Sequence, residues 1–397
     1  MNPLELTQFT ATSCIGLGLD ATLASLAAHR GGLTRCNFET ATIDTHIGEV
    51  SGVDAQQLPA QWSIFDCRNN RLAELALRQD GFFDAVGEIA ARWGPRRIGV
   101  FIGTSTAGIM QTELAYRARD PISGALPPSF VYGTTHNSFS VADYVRRRCG
   151  LEGPAMVVSS ACASSAKAFG TARRMIESGL IDAALVGGTD SLCLTTLYGF
   201  HSLQLSSPAP CRPFDIARDG ISVGEAAAFA LLERVSDKTR GDSVLLYGVG
   251  ESSDAYHMSA PHPEGLGAKR AMQAALAAAG LEPGDIDYIN LHGTGTPSND
   301  RSESQAVTSI FGPTTPCSST KGATGHTLGA AGALEAVISS LAIQNGLMPG
   351  GVQTTRVDPT LTAHYIKENR RGPVRRVLSN SFGFGGTNCS LIFGRAG

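Results

Sequence analysis

Short apolar runs that close on glycine recur along the whole chain. They occupy residues 97–103, 183–188 and 287–293, and the chain holds 46 glycines among its 397 residues. Such runs fit strands that are buried on both faces of a sheet. Between them lie stretches dense in small residues, such as 265–280 and 327–344, which fit helices. This alternation predicts an α/β fold in which helices are layered on sheets.

Two segments are similar enough to indicate an internal duplication. The serine pairs at 159–160 and 318–319 each precede a small-residue helical stretch that ends near a glycine. The second copy is longer, with 28 residues from serine pair to glycine against 20 in the first. The comparison places Cys162 and Lys321 at equivalent turns of two similar halves.

The length of the chain fits this duplication, because a single hydrophobic core rarely extends beyond about 250–300 residues. The charged stretch 234–242 lacks apolar periodicity, which predicts the join between the two halves there. We therefore expect an N-terminal half at residues 1–240 and a C-terminal half at residues 241–397.

Charge and cysteine usage exclude several classes of function. The net charge is -3 and only 17% of the residues are charged, so neither a nucleic acid nor a membrane partner is indicated, and oligomerisation is expected. The nine cysteines form no CxxC pair, which predicts neither a disulfide framework nor a metal site. The N-terminus lacks a basic region followed by an apolar stretch. We expect a cytoplasmic protein.

Cys162 lies in a run of small residues, 158–165, where a strand-like stretch gives way to a predicted helix. The positive end of a helix dipole lowers the pKa of a thiol and favours the thiolate. Small neighbours let a bulky acyl group approach. The alternative is a buried structural cysteine, which is a common role for this residue.

Two further segments carry reactive side chains. His292 ends a predicted strand and is followed by glycines, so its ring points into a crevice, where the hydroxyls of Thr294 and Thr296 can hold a polar chain. Lys321 and His326 lie five residues apart among glycines and small residues, before a predicted helix. Taken singly, each has a structural alternative: a satisfied core histidine, a plain turn, or a solvated lysine.

Taken together, these segments resemble one enzyme family. Residues 159–165, 292–296, 321–326 and 380–388 are similar to the four signatures of β-ketoacyl-acyl-carrier-protein synthases, and they are collinear over most of the chain. The resemblance implies a thiolase-like fold, in which two similar halves stack into α-β-α-β-α layers and two chains form a homodimer or a heterodimer. It also implies decarboxylative condensation of an acyl thioester with malonyl-carrier protein, with no cofactor.

The resemblance and the chemistry of the side chains assign the catalytic roles. Cys162 attacks the acyl thioester and holds the chain covalently. Neutral His292 and His326 offer N–H groups to the enolate that forms when carbon dioxide leaves. Lys321 holds His326 in position and favours its neutral form, and Glu335 is similar to the structural carboxylate that the family places beside that lysine.

The family also implies an oxyanion hole and a gate. The backbone amides of Cys162 and Phe384 form the hole for the acyl carbonyl. Phe384 stands between glycines and can swing, so it gates the acyl pocket, while residues 254–265 resemble a second loop over the same entrance. Phe200 and the two threonines of the 292–296 segment complete the predicted substrate-binding set.

The carrier-docking surface is less clear in the sequence. Family members present basic residues to an acidic carrier protein, but residues 122–131 and 201–205 contain no arginine or lysine. Arg68, Arg71 and Arg212 are the candidates that remain, with a solvated surface role as the alternative. Residues 65–71 and 196–203 are more similar to ketosynthases of bacterial aryl-polyene pathways than to ordinary fatty-acid elongation enzymes.

Two other functions stay open at this point. One is a noncatalytic chain-length partner of a heterodimer, which would lack the nucleophilic cysteine. The other is a thiolase acting on acyl-coenzyme A, which needs a second cysteine as base. Cys389 is the candidate for that base, since it follows glycines in the C-terminal half.

Overall fold

A computed structural model describes residues 2–397. The strands are β1 (Leu4–Ser13), β2 (Gly16–Leu17), β3 (Thr34–Arg35), β4 (His46–Gly48), β5 (Ile98–Gly103), β6 (Ala155–Val158), β7 (Ala183–Asp190), β8 (Val223–Gly224), β9 (Ala226–Arg234), β10 (Val244–Ser253), β11 (Tyr288–Asn290), β12 (Pro316–Ser318), β13 (Leu347–Met348), β14 (His364–Tyr365), β15 (Arg370–Arg371), β16 (Arg376–Gly383) and β17 (Thr387–Arg395).

The helices are α1 (Leu19–Ala27), α2 (Arg68–Leu77), α3 (Phe82–Trp93), α4 (Ile109–Arg117), α5 (Ser140–Arg148), α6 (Ser164–Glu177), α7 (Leu194–Ser202), α8 (Leu266–Ala279), α9 (Pro297–Phe311), α10 (Lys321–Thr324) and α11 (Ala331–Asn345). Short 3-10 turns lie at Ala60–Phe65, Pro95–Arg97, Tyr132–Thr134, Pro283–Asp285, Leu328–Ala330 and Phe384–Gly386.

The strand topology is duplicated. Five strands of the first half lie in the order β6-β5-β7-β9-β1, and five strands of the second half lie in the order β12-β11-β16-β17-β10. Counted along each half, both orders read third, second, fourth, fifth, first. The pairing senses also agree, because β5 and β11 are parallel to both of their neighbours while β9 and β17 are antiparallel to theirs. Strand β1 pairs with β10 and joins the two sets.

Helices cover both sets of strands and form the predicted five layers. Helices α6 and α11 lie between the two sets and share one core with strands of both halves. Helices α2, α3 and α5 cover the outer face of the first set, and α8 and α9 cover the outer face of the second. The layered fold implied by the family resemblance is confirmed.

The central layer explains why its helices are rich in small residues. A Cβ atom on Gly332 of α11 would lie 2.7 Å from the Cβ of Ala166 in α6, so the two helices meet at a contact that a larger side chain would push apart. Helix α11 is buried on every side from Ala331 to Ile343, as expected of a helix enclosed by protein. Buried Leu334, Val337 and Ile338 each contribute about 1.5–3 kcal/mol relative to exposure.

The predicted elements occur with small differences at their ends. The apolar runs 97–103 and 183–188 are strands β5 and β7, whereas the third run is the short strand β11, which ends at Asn290. His292 therefore lies two residues beyond its strand. The predicted helix over 327–344 begins with a 3-10 turn at Leu328–Ala330, and α11 itself starts at Ala331.

The reactive segments all follow the carboxyl ends of strands. The segments that hold Cys162, His292, Lys321 and Phe384 come after β6, β11, β12 and β16. Strands β11, β12 and β16 are parallel, so their carboxyl ends share an edge, which is where open α/β sheets place their sites, whereas β6 belongs to the set of the first half. Within residues 2–397, no helix has the length and apolar character needed to span a membrane.

Candidate active site

Cys162 stands at a strained turn between β6 and α6. Ala161 has φ 49°, in the left-handed region that residues with a Cβ avoid. Ser164 holds the turn, because its hydroxyl donates to the Ala161 carbonyl and accepts from the Ser160 N–H. The turn leaves the Cys162 side chain only 6% exposed, at the base of a cavity.

His326 contacts the Cys162 sulfur through Nε2, at 3.0 Å. Its other ring nitrogen, Nδ1, accepts the backbone N–H of Leu328 at 3.2 Å. A neutral imidazole whose Nδ1 accepts must carry its proton on Nε2. His326 therefore presents an N–H to the sulfur and to whatever group replaces it there.

His292 is oriented by Lys321. The Lys321 ammonium donates to the His292 carbonyl oxygen at 2.7 Å and lies 3.4 Å from its Nδ1. It also pairs with the buried carboxylate of Glu335. With a cation at Nδ1, the neutral ring of His292 carries its proton on Nε2. The sequence-based expectation was that Lys321 holds His326 in position; its hydrogen bonds go to His292 instead, and its charge adds to the effect of burial in lowering the pKa of the His326 ring.

The three reactive side chains converge. The Cys162 sulfur and one ring nitrogen each of His292 and His326 all lie within 4.8 Å of one another, and the two rings are 5.3 Å apart. Such a set has the spacing of metal ligands. However, metal-bound histidines donate their second N–H to an acceptor, whereas here each Nδ1 faces a donor. The hydrogen bonding thus favours two N–H donors over a metal centre.

Burial and charge keep both histidines neutral. Burial lowers the pKa of His292 and of His326 well below its ordinary value, and the Lys321 ammonium lowers both further. Burial raises the pKa of Glu335 to about 7, while its contact with Lys321 opposes the rise. These shifts favour imidazoles that donate a hydrogen bond without carrying charge.

The thiol behaves differently from the sequence-based expectation. Burial raises the pKa of Cys162 to about 11, against the lowering effect of Lys321 and of the backbone N–H groups of Phe384 and Cys162 itself. The expected lowering by the helix dipole was wrong for this closed site, because helix α6 begins two residues later and desolvation dominates. The thiol is protonated until a substrate or a donor stabilises the anion.

The predicted oxyanion hole and gate lie together. The backbone N–H groups of Phe384 and Cys162 both act on the Cys162 sulfur. Gly385, with φ 78°, turns the chain directly after Phe384. The Phe384 ring lies 5.9 Å from the ring of Phe200 on α7. The two aromatic rings thus stand side by side next to the nucleophile.

The cavity above the nucleophile has an empty volume of about 610 Å³, including its open mouth. The predicted substrate-binding residues Thr294, Thr296, Phe200 and Phe384 all line it. The hydroxyls of the two threonines are 2.9 Å apart and form a short polar strip in its wall.

The loop at 254–265 forms part of the same wall. The N–H of Asp254 donates to the Gly386 carbonyl at 2.8 Å, and the N–H of Gly385 donates to the Met258 carbonyl at 2.7 Å. The Asn388 side chain donates to the Asp254 carboxylate at 2.9 Å. Three hydrogen bonds thus connect this loop to the turn that carries Phe384 and to the strand that follows it.

Two buried carboxylates support the site and were missed in the sequence. Glu303 of α9 accepts the N–H groups of His292 and Gly293 at 2.8 and 2.7 Å. Asp190, at the end of β7, accepts the N–H of Gly329, beside the residue whose N–H binds His326. For Asp190 the available signal was the same one that identified His292, a polar residue that ends a buried apolar run, whereas Glu303 lies inside α9 and has no such signal.

The three candidate docking arginines are not free cations. Arg68 is buried and binds the carboxylates of Glu225, Asp54 and Glu49, so its proposed role in docking a carrier protein was wrong. Arg71 pairs with Asp66, and Arg212 pairs with Asp219.

Comparisons with known proteins agree with the geometry of the site. Residues 74–238 match the family model "Beta-ketoacyl synthase, N-terminal domain", and residues 244–355 match "Beta-ketoacyl synthase, C-terminal domain". The mitochondrial 3-oxoacyl-[acyl-carrier-protein] synthase of Arabidopsis thaliana is 38% identical, over 76% of this chain and 71% of that protein. The 3-oxoacyl-[acyl-carrier-protein] synthase 2 of Staphylococcus aureus is 35% identical, over 75% of this chain and 77% of that protein.

A solved structure matches the whole chain. The ketosynthase ApeO from Xenorhabdus doucetiae, solved in complex with its chain length factor ApeC, is 37% identical and superposes with a TM-score of 0.88, over 100% of this chain and 98% of that chain.

Proposed function

The chain belongs to the β-ketoacyl synthase family, and from this premise we propose that it extends an acyl chain by decarboxylative condensation with a malonyl group on an acyl carrier protein. It is an acyltransferase. The observation that carries the proposal is the convergence of the Cys162 sulfur with His292 and His326 at the base of one cavity.

The first half-reaction loads the acyl chain. The Cys162 sulfur attacks the carbonyl carbon of the incoming acyl thioester, and the N–H groups of Cys162 and Phe384 stabilise the oxygen anion that forms. The carbon-sulfur bond to the carrier then breaks. The departing carrier thiol takes up the proton that the Cys162 thiol has lost, so charge and protons balance. His326 stabilises the transient thiolate by donating its Nε2–H.

The second half-reaction forms the carbon-carbon bond. The malonyl thioester loses carbon dioxide, and the electron pair of the broken bond moves onto the thioester oxygen as an enolate. His292 and His326 donate N–H groups to that oxygen; one such donor contributes about 10²–10³ in rate. The enolate carbon attacks the acyl carbonyl on Cys162. The carbon-sulfur bond breaks, the β-ketoacyl product leaves on its carrier, and the Cys162 thiolate takes up a proton from solvent.

The two halves of the chain divide this work. Residues 1–240 supply the nucleophile, and residues 241–397 supply both histidines with Lys321 and Glu335. The ion pair of Lys321 and Glu335 is buried behind the cavity lining, and the Lys321 ammonium hydrogen-bonds to His292, which lines the cavity. We therefore assign it the positioning of His292 and the lowering of both histidine pKa values.

The acyl chain extends past the gate. Behind Phe200 lies an apolar cluster that includes Met110, Leu197 and Ile221. Rotation of Phe384 would open the cavity toward this cluster. Similarity of residues 65–71 and 196–203 to aryl-polyene ketosynthases supports a polyene as the chain, and the resemblance to a ketosynthase that binds a chain length factor supports a related subunit as partner.

The protein works in a reducing compartment. All nine cysteines are free, and most are buried. We place the enzyme in the cytoplasm, with the carrier protein as its source of acyl and malonyl groups.

Two other functions fit the site less well. A thiolase needs a second cysteine near the nucleophile, but Cys389 lies inside β17 in the core and does not line the cavity. A noncatalytic chain-length partner needs no nucleophile, whereas in this protein the Cys162 sulfur lies close to His292 and His326.

The test is reconstitution with the purified protein. Octanoyl- and 2,4-octadienoyl-carrier proteins are mixed with malonyl-carrier protein, and intact-mass spectrometry follows acylation of Cys162. We expect a Cys162-bound acyl group, release of carbon dioxide, and a β-ketoacyl product two carbons longer. Acylation without carbon dioxide release would favour a thiolase, and no acylation from either substrate would refute the proposal. Cys162→Ala is the matched control.

A further inference from the structure

Three cations lie on the two helices that cover the outer face of the C-terminal half. They are Lys269 and Arg270 of α8, and Arg301 of α9. Arg270 and Arg301 are exposed and Lys269 is half-buried. None of the three forms an ion pair with any residue between 2 and 397. The three arginines that the sequence had suggested for docking are, in contrast, each bound to a carboxylate.

Helical periodicity places Arg301 next to the mouth. Ser298 lines the cavity and is exposed, and the other exposed positions at the start of α9 are Pro297 and Arg301. Residues three and four apart share a helix face, one turn or about 5 Å along the axis. Arg301 therefore lies one helical turn beyond Ser298, which lines the cavity, on the solvent-exposed side of α9.

The same reasoning brings the α8 cations to this face. A Cβ on Gly265, directly before α8, would lie 2.6 Å from the Ser302 carbonyl oxygen, so the start of α8 abuts the first turns of α9. Lys269 lies one turn beyond Gly265, and residues four apart share a side of a helix. Arg270 is its neighbour on the exposed side.

Exposed apolar side chains lie next to these cations. Met258 is 77% exposed and Tyr256 is 56% exposed, and both belong to the loop whose Ser259 lines the cavity. Large apolar side chains that cluster on a protein surface mark interaction sites. The mouth therefore combines an apolar loop with three unpaired cations.

We propose that this surface, Met258, Tyr256, Lys269, Arg270 and Arg301, docks the acidic acyl carrier protein through the C-terminal half of the chain. The inference rests on the proposed function. The protein has a net charge of -3 and would repel an acidic partner on average. A local cluster of unpaired cations at the mouth reverses that repulsion and steers the partner so that its acyl arm enters the cavity.

The test compares three acyl donors on one charge-reversal variant, Lys269→Glu/Arg270→Glu/Arg301→Glu. The donors carry the same octanoyl or octadienoyl group on the carrier protein, on coenzyme A, or on N-acetylcysteamine. We expect kcat/KM for acylation of Cys162 by the carrier-bound donor to fall at least tenfold, chiefly because KM rises. The wild-type kcat/KM should decrease when salt is added, and in the variant this salt dependence should disappear. Acylation by N-acetylcysteamine and coenzyme A thioesters should change less than twofold.

The control variant reverses three exposed arginine and lysine charges far from the mouth, Lys238→Glu/Arg371→Glu/Arg375→Glu. It carries the same net charge, and we expect wild-type kinetics with every donor. Unchanged carrier kinetics in the mouth variant would overturn the docking surface. An equal loss with the coenzyme A donor would also overturn the docking surface. The cations would then bind the phosphate that coenzyme A and the acyl arm of the carrier protein have in common. Failure of the proposed function looks different, since the wild-type protein would then accept no donor at all.

Discussion

The Nε2 atom of His326 lies 3.0 Å from the sulfur of Cys162. Because the N–H of Leu328 occupies Nδ1, the imidazole offers a proton at Nε2 and has no lone pair there to accept one. His326 is therefore a donor toward the nucleophile and not its general base. The same N–H is available to the enolate in the second half-reaction, so one fixed tautomer serves both steps.

The support for that tautomer runs through Asp190. Its carboxylate accepts the N–H of Gly329 together with N–H and hydroxyl groups of Thr104, Ser105 and Thr106. Leu328, between the anchored Gly329 and His326, has φ 52°, which is a strained conformation. The anion thus holds the strained turn that places the Leu328 N–H on His326.

Replacing this carboxylate tests the positioning. In Asp190→Asn the amide NH₂ opposes one of the donors, so the turn relaxes and the Leu328 N–H leaves His326. We expect carbon dioxide release from malonyl-carrier protein to fall about tenfold or more, as expected when one aligned donor is weakened. Nitrogen-15 NMR of histidine-labelled enzyme should show loss of the fixed Nε2–H form. An unchanged NMR tautomer with slow decarboxylation would contradict this account.

Lys321→Met separates the two half-reactions. Loss of the ammonium frees Nδ1 of His292 and removes the contact to its carbonyl, so the ring no longer presents a fixed Nε2–H. We expect decarboxylation to fall about 10²-fold while acylation of Cys162 changes by less than about tenfold. Carbon dioxide release and intact-mass kinetics of acylation measure the two steps. Equal losses would show that the lysine has a structural role only.

Stability must be followed in the same variant. Removal of one member of a buried ion pair costs about 3–5 kcal/mol when the partner stays charged. Burial already raises the pKa of Glu335 to about 7, so this carboxyl can take up a proton once Lys321 is gone. The double variant Lys321→Met/Glu335→Gln, which leaves no charge, is the control and should recover stability without recovering decarboxylation.

The pH dependence of decarboxylation follows from the histidine pKa values. Burial and Lys321 lower the pKa of His292 and His326 well below the ordinary 6.5, so both rings stay neutral as the pH falls through that value. We expect a rate that is flat from pH 8 to about pH 6 and declines only below it. Removing the cation takes away one cause of the lowering, so Lys321→Met should move the acid limb upward. An acid limb centred at 6.5 in the wild type would contradict the neutral, buried histidines.

The reactive residues could be picked out from the sequence because local order marks them: Cys162, His292 and Lys321 each follow a strand. Strands β11 and β12 are parallel, so the carboxyl ends that precede His292 and Lys321 share an edge. What decides the electrostatics is not local. Asp190 acts on a residue 139 positions away, and Arg68 finds its partner Glu225 at a separation of 157. No spacing rule in a single sequence reports such pairings, so the support for His326 and the burial of Arg68 were missed.

Arg68 provides the last test, because its sequence-based role and its structural role predict opposite results. Its guanidinium donates to both oxygens of the fully buried Glu225, at 2.7 and 2.9 Å, and Glu225 also accepts the N–H groups of Val50 and Leu192. Arg68→Ala strands that carboxylate in the core. We expect the free energy of unfolding to fall by about 3–5 kcal/mol, as measured by urea denaturation.

Kinetics then decide between the two roles of Arg68. At a temperature where the variant is folded, its KM for the carrier-bound donor should match the wild type, because a buried side chain cannot meet the carrier. Arg71→Ala is the control: its pair with Asp66 is partly exposed, so it should lose less than about 1 kcal/mol. A stable Arg68→Ala protein with a raised KM for the carrier alone would restore the docking role and refute the structural one.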